Sequence, residues 1–142
     1  MAEAATIHVD IVSAEGEIFS GPAVTVFAPA SQGDLGIYPR HAPLLSLLKA
    51  GVVRVHTPNG EEHFFYVSGG ALEVQPNKVT VLADTALRAK DIDEAAAVAA
   101  RQRAEEALKE RPGKITQAEA LAELARAGAQ LQLLEQLRKR RG

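Results

Sequence analysis

The sequence predicts a β + α protein, an N-terminal antiparallel β-sandwich followed by a C-terminal two-helix antiparallel hairpin. Three features carry that expectation. Apolar residues recur with period two between turn residues through the first part of the chain. After Asp84 the composition changes to alanine, glutamate, arginine and leucine, all strong helix formers. Pro112-Gly113 then divides this second part in two, because neither residue sustains a helix.

Ile7, Val9 and Ile11 alternate with His8 and Asp10, and Val24, Val26 and Ala28 alternate with Thr25 and Phe27, which is the period of a half-buried strand. Val53 and Val55 repeat the pattern about Arg54. Residues 52–57, the turn Pro58-Asn59-Gly60 and residues 63–68 read as a hairpin, since Asn-Gly tolerates the positive φ of tight turns. Leu72 and Val74 lead into a second turn at Pro76-Asn77, and Val79, Val81 and Leu82 lead out. Short, regularly spaced strands with no helical pattern between them indicate an antiparallel sandwich or barrel, not a parallel nucleotide-binding sheet, and they are expected to end near Asp84.

The first helix is predicted from an N-cap at Asp91, with Glu94 completing a capping box, to about Glu110. The second is predicted from Thr116, with Glu119 reaching back, through Leu121, Leu124, Leu131 and Leu134 toward Arg140. Their seam is read as Ala95, Ala96, Ala99, Ala100, Ala104 and Ala107 against Ala120, Ala127 and Gly128. Such small side chains bury little area, at about 25 cal/mol per Å², so the hairpin is expected to be marginally stable alone. Elements that move come from that low-stability end of a fold. The division is placed at residues 1–86 and 87–142.

Composition removes several classes of function. The 142 residues suffice for one domain with a smaller appendage, and 46% apolar with 24% charged residues is ordinary for a globular chain. There is no cysteine, so thiol nucleophiles, disulfides and thiolate metal sites are excluded. His8, His41, His56 and His63 lack ligand spacing, and no metal is expected. The glycines of Ser31-Gln32-Gly33-Asp34-Leu35-Gly36 are followed by no Gly-Lys-Ser or Gly-Lys-Thr, and Ser68-Gly69-Gly70 is no nucleophile elbow. The start of the chain shows no basic and apolar leader pattern, and no apolar run reaches the roughly 18 residues of a membrane span. Residues 1–86 hold 9 acids and 4 bases, whereas residues 87–142 hold 9 acids and 12 bases, so the tail is the basic part. With aromatics at 4% and an acidic sandwich, a nucleic-acid stacking platform is not supported.

The stretches Asp10-Ile-Val-Ser-Ala-Glu, Phe19-Ser-Gly, Gly33-Asp-Leu-Gly-Ile-Tyr-Pro-Arg-His-Ala-Pro-Leu-Leu, Ser68-Gly-Gly-Ala-Leu-Glu-Val-Gln-Pro and Val79-Thr-Val-Leu-Ala-Asp-Thr-Ala resemble the epsilon subunits of bacterial F-type ATP synthases, in order and spacing. The resemblance continues through Asp91-Ile-Asp-Glu-Ala and covers nearly the whole chain. It implies a non-catalytic rotor subunit, peripheral on the cytoplasmic face of the bacterial inner membrane and touching the membrane only through its complex. The sandwich would hold the gamma subunit and the c-subunit ring, and the hairpin would restrain ATP hydrolysis. The c-ring contact falls on Asp34 and His41, although Asp34 beside Gly33 and Gly36 serves turn geometry equally well. Some family members bind ATP through Ile/Leu-Asp-x-x-Arg-Ala. Here alanine replaces that arginine at Ala96, which leaves a weak or lost ATP site at Ile92, Asp93 and Ala97 and no expected cofactor. In an extended state the tail would meet the alpha and beta subunits, through an inhibitory contact of Arg126, Arg138, Lys139, Arg140 and Arg141 with beta; several of these also suit the negative end of a helix dipole. The rival reading is a free-standing sandwich whose basic tail binds anionic lipid or nucleic acid, distinguishable by salt-sensitive binding of the isolated chain.

Overall fold

A computed structural model describes residues 5–109 and 114–141, with side chains of the second helix described over 117–139. Ten strands come first: β1 (Ile7–Ser13), β2 (Gly16–Ala23), β3 (Thr25–Ala30), β4 (Gly33–Ile37), β5 (Leu44–Leu48), β6 (Gly51–His56), β7 (Glu62–Val67), β8 (Gly70–Gln75), β9 (Lys78–Ala83) and β10 (Ala86–Arg88). A 3₁₀ turn, Ala89–Asp91, leads into α1 (Glu94–Lys109) and then α2 (Lys114–Arg141). The strands run in the order β10-β7-β6-β3-β5-β8-β9-β1-β2, with β4 beside β3. β3 meets β5 at a single pair, Ala30 with Leu48, and there the sheet passes from one layer of the sandwich to the other.

Period-two alternation places one residue in two inside. Val9, Ile11, Val26, Val53, Val55, Leu72, Val79 and Val81 are fully buried in one cluster between the layers. Both predicted hairpins form, β6 with β7 and β8 with β9. Their turns differ in detail from the expected Asn-Gly geometry. Thr57 N–H bonds Glu61 O at 2.9 Å, and only Gly60, not Asn59, takes a positive φ, of 86°. One ladder is parallel, β1 with β9, because the first strand lies between its own hairpin partner β2 and the last strand of the second hairpin.

The strands do not end at Asp84. Ala86, Leu87 and Arg88 form β10, antiparallel to β7, and Arg88 donates from Nη2 to Ile18 O at 2.6 Å. Three residues are too few to show a period, and so this edge strand was invisible to alternation.

The helices also shift from their expected starts. Asp93, not Asp91, caps α1: its Oδ1 accepts from Ala96 N–H at 3.0 Å, and Ala97 N–H closes the first helical bond to Asp93 O at 3.0 Å. Asp91 ends the 3₁₀ turn instead. α2 begins at Lys114, so Thr116 lies inside its first turn and is no cap. The predicted ends at Glu110 and at the Pro112-Gly113 break fall outside the described residues.

Candidate functional site

The hairpin lies folded against one face of the sandwich. α2 is covered on two sides. Ala120 and Ala127, with Glu123 between them, face α1, where Ala97 and Ala104 are buried and Arg103 pairs with Glu123 at 3.4 Å. Ala129 and Leu133 project the other way and join Phe64 and Tyr66 of β7 in a second apolar cluster, separate from the sandwich core. Ile92, Leu87, Val52 and Leu137 pack around it. The expected seam is therefore partly displaced. Ala95 and Ala96 are exposed, Ala97 is the buried first-turn alanine, and Gly128 lines the gap to the sandwich and not the seam. Leu121 of the expected stripe is exposed, and among the described residues of α2 the fully buried leucine is Leu133.

Tyr66 is the side chain that sequence reasoning missed. It is 1% exposed at the meeting of strand, linker and both helices. Burial pushes its phenol above the ordinary value, partly offset by the Gln130 amide and the Arg126 charge. A signal was present in the sequence. Phe64, Phe65, Tyr66 and Val67 form an unbroken apolar run, all four buried, and a strand without alternation is one covered on both faces.

Ile92, Asp93 and Ala97 come together at the start of α1. A cavity of about 470 Å³ there is lined by Asp93, Ala96, Ala97, Tyr66, Arg103 and Arg126, among others. Arg126 thus stands beside the motif positions, while Ala96 offers no charge. Of the other basic residues, Arg138 donates to Glu94 at 2.5 Å across the two helices, and Lys139 pairs with Glu135 of its own helix at 3.5 Å. That contact holds the Glu94 carboxyl below its usual value, the Arg138 hydrogen bond being the main cause. The side chains of Arg140 and Arg141 lie outside the described residues.

Asp34 and His41 do not share one loop. Asp34 belongs to β4, opposite Pro29 of β3, and is exposed. His41 follows β4 and turns its Nδ1 onto Ala42 O at 2.7 Å. Between them Arg40 adopts φ 66°, a left-handed conformation, and its N–H bonds Pro76 O at 2.8 Å, which ties this loop to the β8–β9 turn.

A β-sandwich that carries a docked two-helix hairpin defines a two-part class of protein, with the sheet domain first and the helical domain second. The comparisons agree on which one. Residues 6–89 match the family model for the β-sandwich domain of the ATP synthase delta/epsilon chain, and residues 90–135 match that for its long alpha-helix domain. The chain belongs to the ATP synthase delta/epsilon chain family. It is 64% identical over 139 residues to the ATP synthase epsilon chain of Nitrosococcus oceani, covering 98% of this chain and 99% of that one. It is also 64% identical over 135 residues to that of Alkalilimnicola ehrlichii, covering 95% and 96%. In fold it is similar to a chain of the Euglena gracilis mitochondrial ATP synthase, seen by cryo-EM with OSCP, F1 and c-ring, with a TM-score of 0.82 at 18% identity, over 94% of this chain and 84% of that one. It is a stalk subunit of the synthase and not its catalytic subunit. No helix among the described residues is long and apolar enough to cross a membrane.

Proposed function

We propose that this subunit couples proton flow to ATP synthesis from the central stalk and restrains ATP hydrolysis through its C-terminal helices. The sandwich holds the gamma subunit and the c-ring, and the hairpin reaches the alpha and beta subunits when extended. The complex sits on the bacterial inner membrane, with this subunit peripheral on the cytoplasmic face. The observation that carries the reading is the hairpin's attachment. One small cluster, Phe64 and Tyr66 against Ala129 and Leu133, joins it to a sandwich whose own core is complete without it. A unit whose attachment lies outside the sandwich core can leave without unfolding its support.

The division proposed is a sandwich over 1–86 and a regulatory hairpin over 87–142, and β10 bears on where to cut. Leu87 and Arg88 pair with β7, so truncation after Ala89 spares the sheet. In a synthase rebuilt with the truncated chain, proton-coupled synthesis is expected to persist and hydrolysis to rise. Hydrolysis equal to that with the full chain would remove the braking role, and failure to assemble would remove the division.

A further inference from the structure

The turn between β6 and β7 carries Asn59 before Gly60, and these two residues hold both partners of an intramolecular reaction. The backbone nitrogen of Gly60 attacks the Asn59 side-chain carbonyl carbon Cγ, the Cγ–Nδ2 bond breaks, and ammonia leaves with the proton that the backbone nitrogen lost. Water then opens the cyclic imide to aspartate, or to the isomer whose main chain runs through the side-chain carboxyl. Glycine suits the attack because it has no Cβ to screen the nitrogen, and the space where a Cβ would stand is empty. Asn77, the chain's other asparagine, precedes Lys78, whose Cβ provides that screen.

In the folded turn both reacting groups are engaged elsewhere. Gly60 N–H, which must lose its proton, donates to Thr57 O at 3.1 Å. Thr57 Oγ1 donates to Asn59 Oδ1, and Glu61 N–H is shared between Thr57 Oγ1 at 3.1 Å and Asn59 Oδ1 at 3.4 Å. Asn59 Nδ2 donates to Glu61 Oε1 at 3.3 Å, and His63 Nε2 lies 3.2 Å from the other oxygen of that carboxylate. Donors on Oδ1 also polarise the carbonyl, which favours attack, but a nucleophile that is still protonated and hydrogen-bonded cannot deliver one. We propose that Asn59 is a site of hydrolytic deamidation that the turn keeps latent, with Thr57 as its guard, so that modification proceeds only when this end of the β6–β7 hairpin opens. Opening is then recorded permanently. The product sets a carboxylate where the Nδ2 amide met Glu61 Oε1, and an attraction becomes a like-charge repulsion that loosens the turn.

Peptide mass spectrometry of the full chain, held in mildly alkaline buffer with and without guanidinium chloride, tests the site by following conversion of amide to carboxyl at Asn59. In denaturant Asn59 is expected to convert faster than Asn77. In the native protein it is expected to convert at least about tenfold more slowly than in denaturant, since several hydrogen bonds must break first. Thr57→Val keeps the shape of the side chain and removes its hydroxyl. It is expected to speed native conversion about fivefold, the rate equivalent of one hydrogen bond, and to leave the rate in denaturant unchanged. Asn59→Asp, the product itself, is expected to accelerate amide exchange at Gly60 and Glu61 while exchange at Val53 and Val55 stays as it was. A native rate equal to that in denaturant, no preference for Asn59 over Asn77 once the chain is unfolded, a native rate untouched by Thr57→Val, or turn exchange unmoved by Asn59→Asp would each overturn the proposal.

Discussion

Leu133→Ala is the perturbation that most directly probes the hairpin's hold on the sandwich. Leu133 is 0% exposed and sits between Ala129 and the rings of Phe64 and Tyr66. Truncating a buried leucine costs about 2 to 5 kcal/mol, depending on how far the site collapses. At about 1.4 kcal/mol per decade, that shifts the docking equilibrium by roughly thirtyfold to a few thousandfold. The cost should fall on docking alone, because Leu133 is no member of the cluster that fills the sandwich. Two readouts follow. Amide exchange over residues 117–139 should accelerate by that factor while exchange at Val9, Ile11, Val79 and Val81 stays unchanged, and the Tyr66 phenol, raised by burial, should titrate closer to its ordinary value. Equal acceleration in both regions would mean that sandwich and hairpin open as one unit. Unchanged exchange over α2 would mean that the second cluster does not hold it. Either result refutes the argument.

Three further outcomes are expected. ATP should bind the isolated chain weakly or not at all at micromolar concentration, and Ala96→Arg should gain one to two decades by calorimetry, since a charge-assisted hydrogen bond contributes about 1.5 to 3 kcal/mol; micromolar affinity in the wild type would contradict this. Asp10 is held below its usual pKa, first by the Ser20 hydroxyl at 2.7 Å and then by His8 and Lys78. A depressed carboxylate stabilises the fold above its unfolded pKa and loses that contribution as pH falls through the lower folded value, so Ser20→Ala should raise the acid midpoint of Asp10 in an NMR titration. Under the proposed brake, Glu94→Gln and Arg138→Ala should change inhibition of hydrolysis in opposite directions, the first strengthening it and the second relieving it, in a rebuilt synthase.

Legibility in the sequence followed the length of each pattern. The inside set of the sandwich was readable because Val9, Ile11, Val53, Val55, Val79 and Val81 recur at a spacing that only a half-buried strand requires. β10 was not, being three residues long and defined by its partner β7. On the helices, alanine identified the hairpin but not its facing. An alanine stripe looks alike on every side, and it took Phe64, Tyr66 and Leu133 to choose Ala129 over Gly128. The cap of α1 was off by two residues because Asp91 and Asp93 both satisfy the N-cap preference, and only the intervening 3₁₀ turn decides between them. The pairing of Arg138 with Glu94 joins residues on different helices, and a spacing rule within one helix cannot reveal it.

That pairing also explains why the basic tail should not be treated as one surface. Lys139 is matched to Glu135 four residues earlier on the same helix, a pair that survives any movement of the helix as a whole. Arg138 is matched to Glu94 on α1, a pair that must break whenever α2 leaves α1. Release therefore leaves Lys139 as it was and frees one arginine and one carboxylate that were tied together. Both partners are well exposed, so the pair holds the hairpin only weakly and screens with salt. Its larger consequence is one of availability, since Arg138 cannot serve the docked helix and an acidic partner at once. Removing Glu94 takes away the competitor and keeps the charge, whereas removing Arg138 takes away both, and this is the origin of the opposite signs. If the two variants acted alike, through the lost latch alone, Arg138 would be a fastening of the docked hairpin and not a group that the catalytic head feels.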